Sequence, residues 1–146
     1  MHKRHRLGRF LYWFFLLVCP LVMTACAPSA SDVQVLVDGQ VWQETVSSPE
    51  SGLAVTVSLG DRVLLSLPFG ETHTIRILQP GVGENTLQLT EDAVSMAEAD
   101  CPGQDCIQMG TVTRENLDIR PLGGFIICLP HRLTVEVHDS HSEAQP

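Results

Sequence analysis

The sequence predicts an all-β domain, a small antiparallel sandwich or barrel with one short helical turn near residues 103–109. Three observations carry this. From Val33 onward, apolar residues recur at every second position through most of the chain, the period of strands buried on one face. Gly, Asp and Pro punctuate these runs at short intervals, the turn spacing of sandwiches and barrels. No 3.6-residue period is sustained after the N-terminal segment, which excludes long helices.

The elements follow in order. Val33, Val35 and Val37 alternate, Asp38-Gly39 is a two-residue hairpin turn, and Val41 to Val46 returns. Ser47 to Gly52 holds Ser, Pro and Gly and reads as a loop. Leu53, Val55, Val57 and Leu59 alternate, Gly60-Asp61 turns, and Val63 to Leu67 returns until Pro68. The stretches VQVLVDGQV and VTVSLGDRV share this spacing, which fits a duplicated hairpin and common hairpin grammar equally well. Thr72 to Leu78, Thr86 to Thr90 and Ala93 to Ala99 read as strands, separated by turns at Pro80–Gly83 and Glu91-Asp92. Phe125 to Leu129 is apolar throughout and is expected as a central buried strand. Leu133 to Val137 alternates again. A core built mainly of Val, Leu and Ile in so short a chain is small and calls for extra ties.

Charge is divided along the chain. Of 146 residues, Lys3, Arg4, Arg6 and Arg9 open the sequence, and the body beyond them has five arginines against all 17 acidic residues, a formal charge of −12. Such a body repels phosphate backbones, so nucleic acid is excluded as a partner.

A basic start, an apolar run over residues 10–23 and small residues at Thr24-Ala25 make a secretory signal. Those 14 apolar residues are short for the ~20 a membrane span needs, and Pro20 interrupts them. Val22 to Cys26 resembles a bacterial lipoprotein signal, with Met23 where Leu is usual. That resemblance implies removal of residues 1–25 and lipidation of Cys26. Two or three acyl chains hold a domain at a membrane stably where one does not. A soluble secreted form cut nearby and an uncleaved anchor are the alternatives. Residues 26–32 read as a tether, 33–138 as the β domain, and 139–146 as a polar tail beyond His138. The expected location is extracytoplasmic, on the outer face of the cell membrane.

The chemistry lies in the cysteines. Apart from Cys19 and Cys26, the chain has Cys101, Cys106 and Cys128. Exposed thiols oxidise outside the cytoplasm, so a disulfide is the default expectation. Cys101–Cys106 closes a short loop that Pro102-Gly103 can reverse, leaving Cys128 as a buried bystander; pairing either with Cys128 closes a longer one. We favour Cys101–Cys106, although spacing does not choose among the three. The same residues with His131 form C-x4-C and C-x2-H, a candidate tetrahedral Zn2+ set. Against this, His131 before Arg132 at a strand start reads as a surface residue. A third reading is an exchanging redox thiol, which requires an accessible, low-pKa thiolate. Asp100 and Asp105 flank the cysteines and should raise a thiol pKa.

Other candidates are weaker. Ser66, His73 and Asp61 read as ordinary strand and turn residues, Gly81-Val82-Gly83 lacks the helix of a phosphate loop, and His138 and His141 read as a solvated tail. Glu91, Asp92, Glu98, Asp100 and Asp105 concentrate negative charge near the cysteines, which reads as solubility before it reads as a Ca2+ or cation site.

The stretch from Glu84 to Arg132, with Ala99-Asp100-Cys101-Pro102, Cys106-Ile107-Gln108-Met109-Gly110 and Ile127-Cys128-Leu129-Pro130-His131-Arg132, resembles the NusG domain II family. The motif is similar to A-x-C-P-x3-C-x3-G followed by V/I-C-L-P-N/H-R/K. The resemblance covers residues 84–137 well and reaches loosely back to Val55. It implies a compact β domain. The family takes its name from a domain inserted in some transcription factors, but an exported acidic domain carries no transcription. Membrane-anchored relatives look like extracytoplasmic proteins, some similar to components accompanying flavin-based electron transfer at the cell surface. The expected role is therefore binding to another extracytoplasmic or membrane protein, without catalysis and without a cofactor. An accessory thiol–disulfide redox role is the alternative.

Overall fold

Alternating sequence becomes strand almost everywhere in the computed structural model, which describes residues 33–43 and 52–140. Its elements are β1 (Gln34–Val37), β2 (Gln40–Val41), β3 (Leu53–Leu59), β4 (Arg62–Pro68), β5 (His73–Gln79), β6 (Gly83–Leu89), β7 (Ala93–Ala99), α1 (Asp105–Gln108), β8 (Val112–Thr113), β9 (Phe125–Cys128) and β10 (Leu133–Asp139). They form two open antiparallel sheets, ordered β2-β1-β5-β6-β7-β8 and β4-β3-β10-β9. The sandwich is thus realised, with no closed barrel among the described residues. The short helical turn expected near 103–109 is α1.

One hydrophobic core draws on both sheets. Ile75, Ile77, Leu87 and Leu89 of the larger sheet and Val55, Val57, Leu133 and Val135 of the smaller are almost fully buried. The spacing of two within each pair is the period the sequence displays.

The two similar hairpins lie in different sheets, each with its return strand at a sheet edge. Their turns differ. Asp38 and Gly39 both have positive φ, 52° and 79°, whereas in the second turn it is Gly60, at 57°, that lies there and not Asp61. Positive φ at both central residues is the tight hairpin turn for which Asp-Gly is suited. The second hairpin also carries a bulge: Leu65 pairs with Val57 and Val63 with Ser58, so Leu64 is extra. That lets both Leu64 and Leu65 enter the core.

Three expectations change. Phe125 to Leu129 is not a central strand, because β9 is the edge of its sheet. Its apolar character is explained by cover from elsewhere: α1 packs against it, and its Ile127 amide donates to Met109 Sδ at 3.3 Å. Second, β8 is unexpected; two residues are too few for a visible period. Third, His138 belongs to β10 and its Nε2 lies 2.9 Å from Thr56 Oγ1, so it is not part of the tail.

The long spacer between α1 and β9 is folded by two polar side chains. Asn116 Oδ1 accepts from the Thr113 amide at 2.8 Å, and Asn116 Nδ2 donates to Thr111 O at 3.0 Å. Arg120 donates to Gly123 O and to Met109 O, each at 2.8 Å. Gly124 then passes against β10, where a Cβ would overlap the Val137 carbonyl.

The expected signal segment 1–25, Cys26, the tether and residues 141–146 lie outside the described residues, as do residues 44–51 of the first return strand and its loop. Among the described residues no helix is long and apolar enough to cross a membrane.

Candidate functional site

Cys101 reaches the core because β7 changes phase. Val94 and Met96 are buried, so strict alternation would next bury Glu98 and Asp100. Instead Thr86 pairs with Glu98 and Leu87 with Met96, leaving Ala97 unpaired as a bulge. After it, Ala99 and Cys101 turn inward and Glu98 and Asp100 turn out.

Cys106 arrives on α1. Gln104 precedes this helix in the left-handed conformation, φ 51°, and its side-chain amide donates back to Ala99 O at 3.1 Å. The turn therefore folds onto the end of β7. Cys128 closes β9, opposite Leu133.

These three elements bring three sulfurs together. All three thiols are buried and their Sγ atoms lie within 4.8 Å of one another. Cys101 and Cys106 are 3.8 Å apart, well beyond the about 2.05 Å of an S–S bond. The expected disulfide is therefore not formed, and Cys128 is a member of the cluster and not a bystander. Burial pushes the Cys106 thiol up to about 12, with the Cys128 and Cys101 sulfurs adding to the rise. The upward direction agrees with the sequence expectation, but its cause is desolvation and sulfur neighbours, not Asp100 and Asp105.

A pocket of about 200 Å3 opens onto the cluster. Cys101, Cys106 and Cys128 form its wall, with Met109, Ile127 and Pro130 beside them. Leu122 and Leu129 line it while remaining 50% and 79% exposed.

His131 does not join the sulfurs. It is 3% exposed, contrary to the surface position expected for it. The turn from Leu129 to Arg132 places it against the opposite sheet, with Arg132 at φ 54°. Its Nδ1 lies 2.7 Å from Asn85 Oδ1 and its Nε2 lies 3.3 Å from Asp100 Oδ1, while its carbonyl accepts from Gln79 Nε2 at 3.1 Å. Asn85 donates its own amide to Met96 Sδ, so its Oδ1 is the acceptor and His131 Nδ1 carries the proton. Gly83 permits this packing: a Cβ there would overlap the His131 ring. Both ring nitrogens are thus engaged away from the cysteines, and the four-ligand zinc set is not assembled. His131 is a clasp between the sheets. Nothing local to it signals this, since its partners lie far away in sequence.

The remaining candidates stay apart. Ser66 bonds Thr56 at 3.1 Å in the smaller sheet, whereas His73 pairs with Asp38 and Glu71 in the larger, at 2.8 and 3.1 Å. Those carboxylates raise the His73 pKa, led by the Asp38 hydrogen bond, and His73 in turn holds Asp38 below its ordinary value. Gly81-Val82-Gly83 turns from β5 into β6.

By sequence, no curated protein matches the chain. Among solved structures, the crystal structure of the Lin0431 protein from Listeria innocua is 21% identical, covering 60% of this chain and 95% of that one, with a TM-score of 0.50. The solution structure of the same protein is 19% identical over 67% and 82% of the two chains, with a TM-score of 0.52. A DUF1312 family protein from Enterococcus faecalis V583 is 19% identical over 60% and 97%, with a TM-score of 0.51. These are likenesses of fold. The family model described as NusG domain II matches residues 13–141, and with that match spanning most of its length the chain belongs to the NusG domain II family.

Proposed function

We propose that this chain is a lipid-anchored extracytoplasmic domain that binds another protein and does no chemistry of its own. One observation carries the reading: an apolar pocket whose rim leaves Leu122 and Leu129 in solvent. Neighbouring apolar side chains held open to water at a concave site favour a partner's apolar group. The basic and apolar leader supports export, with Cys26 as the lipid attachment point. The −12 body disfavours anionic partners.

The test is site-specific photo-cross-linking in intact cells of the source organism. A photoreactive residue at position 129 is expected to capture one protein of the membrane or its outer side, and the same probe at exposed Val63 on β4 is not. Equal labelling from both positions, or no adduct from position 129, overturns the reading.

A second reading is favoured by the three adjacent sulfurs: an accessory thiol–disulfide component of a cell-surface, flavin-linked electron-transfer system. In it, two of Cys101, Cys106 and Cys128 give up two protons and two electrons to an oxidised partner as an S–S bond forms. The upward-shifted Cys106 thiol opposes this. Thiol counts that interconvert between three and one at a mild potential support it, and a count that stays fixed sinks it.

A further inference from the structure

The geometry points to Cys101, Cys106 and Cys128 as a three-sulfur site for one thiophilic d10 metal ion, Zn2+ or Cu(I), bound without His131. This is independent of the protein-binding proposal.

Spacing is the first argument. Thiolates at about 2.3 Å from a tetrahedral Zn2+ stand about 3.8 Å from one another. Cys101 and Cys106 are separated by 3.8 Å, and the third sulfur is within 4.8 Å of both. Closing the set takes a movement of the order of a rotamer adjustment, not a backbone rearrangement. Softness is the second argument. Three sulfurs with no oxygen or nitrogen donor among them select Zn2+ or Cu(I) over Mg2+ or Ca2+.

Charge is the third. Three thiolates in an apolar wall need a compensating cation. Among the described residues the pocket lining contains no Arg or Lys, so a bound metal is the cation that fits. Access is the fourth. The three cysteines line the pocket, so an ion has an entry path, and a fourth ligand can be supplied from the pocket side. Three coordinated sulfurs satisfy Cu(I); Zn2+ would add water or a partner's atom there. Such an ion would tie the end of β7, α1 and β9 together.

The test uses the full chain in detergent, reduced and kept anaerobic, titrated in separate arms with Zn2+, Co2+ as its spectroscopic substitute, and Cu(I). One ion per chain is expected, with loss of alkylation at Cys101, Cys106 and Cys128 by peptide mapping. With Co2+, an intense near-ultraviolet sulfur-to-metal band is expected if the site takes Zn2+; protection by Cu(I) alone assigns the site to Cu(I). Cys128→Ser should weaken binding by more than ~100-fold, beyond the loss usual for partners outside the ligand set. Should that variant fail to fold, the ion stoichiometry and the Co2+ sulfur band of the wild-type chain still decide. A chain that retains no ion after gel filtration in any of the three arms overturns the site. So does binding of equal strength by a folded Cys128→Ser chain, which would place the ion elsewhere.

Discussion

His131 Nδ1 lies 2.7 Å from Asn85 Oδ1, joining a turn of one sheet to a strand of the other through two buried side chains. Removing one partner leaves the other desolvated without a hydrogen bond. Asn85→Leu should therefore lower stability by about 1–3 kcal/mol. Chemical denaturation should show a lower midpoint with an unchanged slope. A wild-type midpoint would show that the clasp contributes nothing.

Gly124 approaches the Val137 carbonyl so closely that no Cβ fits between them. Because the obstacle is backbone, it cannot swing aside. Gly124→Ala should destabilise by about 1–3 kcal/mol, the usual range for overpacking. Gly39→Ala, with open space around its Cβ, controls for volume, though its positive φ of 79° adds a separate backbone cost. Thermal unfolding of the pair separates the two causes.

Cys106 should alkylate slowly in the native chain. A thiol moved from 9.0 to about 12 presents ~10³-fold less thiolate near pH 8. Burial slows it further. Iodoacetamide kinetics followed by mass spectrometry should show native Cys106 at least that much slower than the same residue in denaturant.

The His73–Asp38 pair gives a pH dependence with two limits. The pKa of His73 is raised from 6.5, so its stabilising contribution is complete below 6.5 and fades as pH climbs through the raised value. Asp38 is lowered from 3.8; its contribution is complete above 3.8 and fades as pH drops through the lowered value. The pair thus helps most between those limits. It is partly exposed, so the effect is at most about 1 kcal/mol. His73→Gln should flatten the alkaline decline in denaturation midpoints measured from pH 6 to 8.

Much of the fold is legible in the sequence because period and turn chemistry are local. Val55, Val57 and Leu59 announce β3, and Asp38-Gly39 announces its hairpin. The cysteine cluster is legible as a set of residues but not as a geometry. Ala97 is an ordinary residue at which one missed pairing sends Cys101 inward, and no local pattern marks it. Hydrophobicity likewise shows that β9 is covered without showing that Met109, and not another strand, does part of the covering. His131 reads as a surface residue for the same reason: its burial depends on Asn85, Asp100 and Gly83, brought close by sheet packing.

The thioether over Ile127 has a further consequence. An unpaired edge strand is a template on which a second polypeptide can add and start a fibril. Here that outward amide is already taken by Met109, and Arg120 fastens the covering segment through the Met109 carbonyl. The domain thereby keeps its most apolar border from zipping onto a second copy, and oxidation of that one methionine is where such protection would first fail.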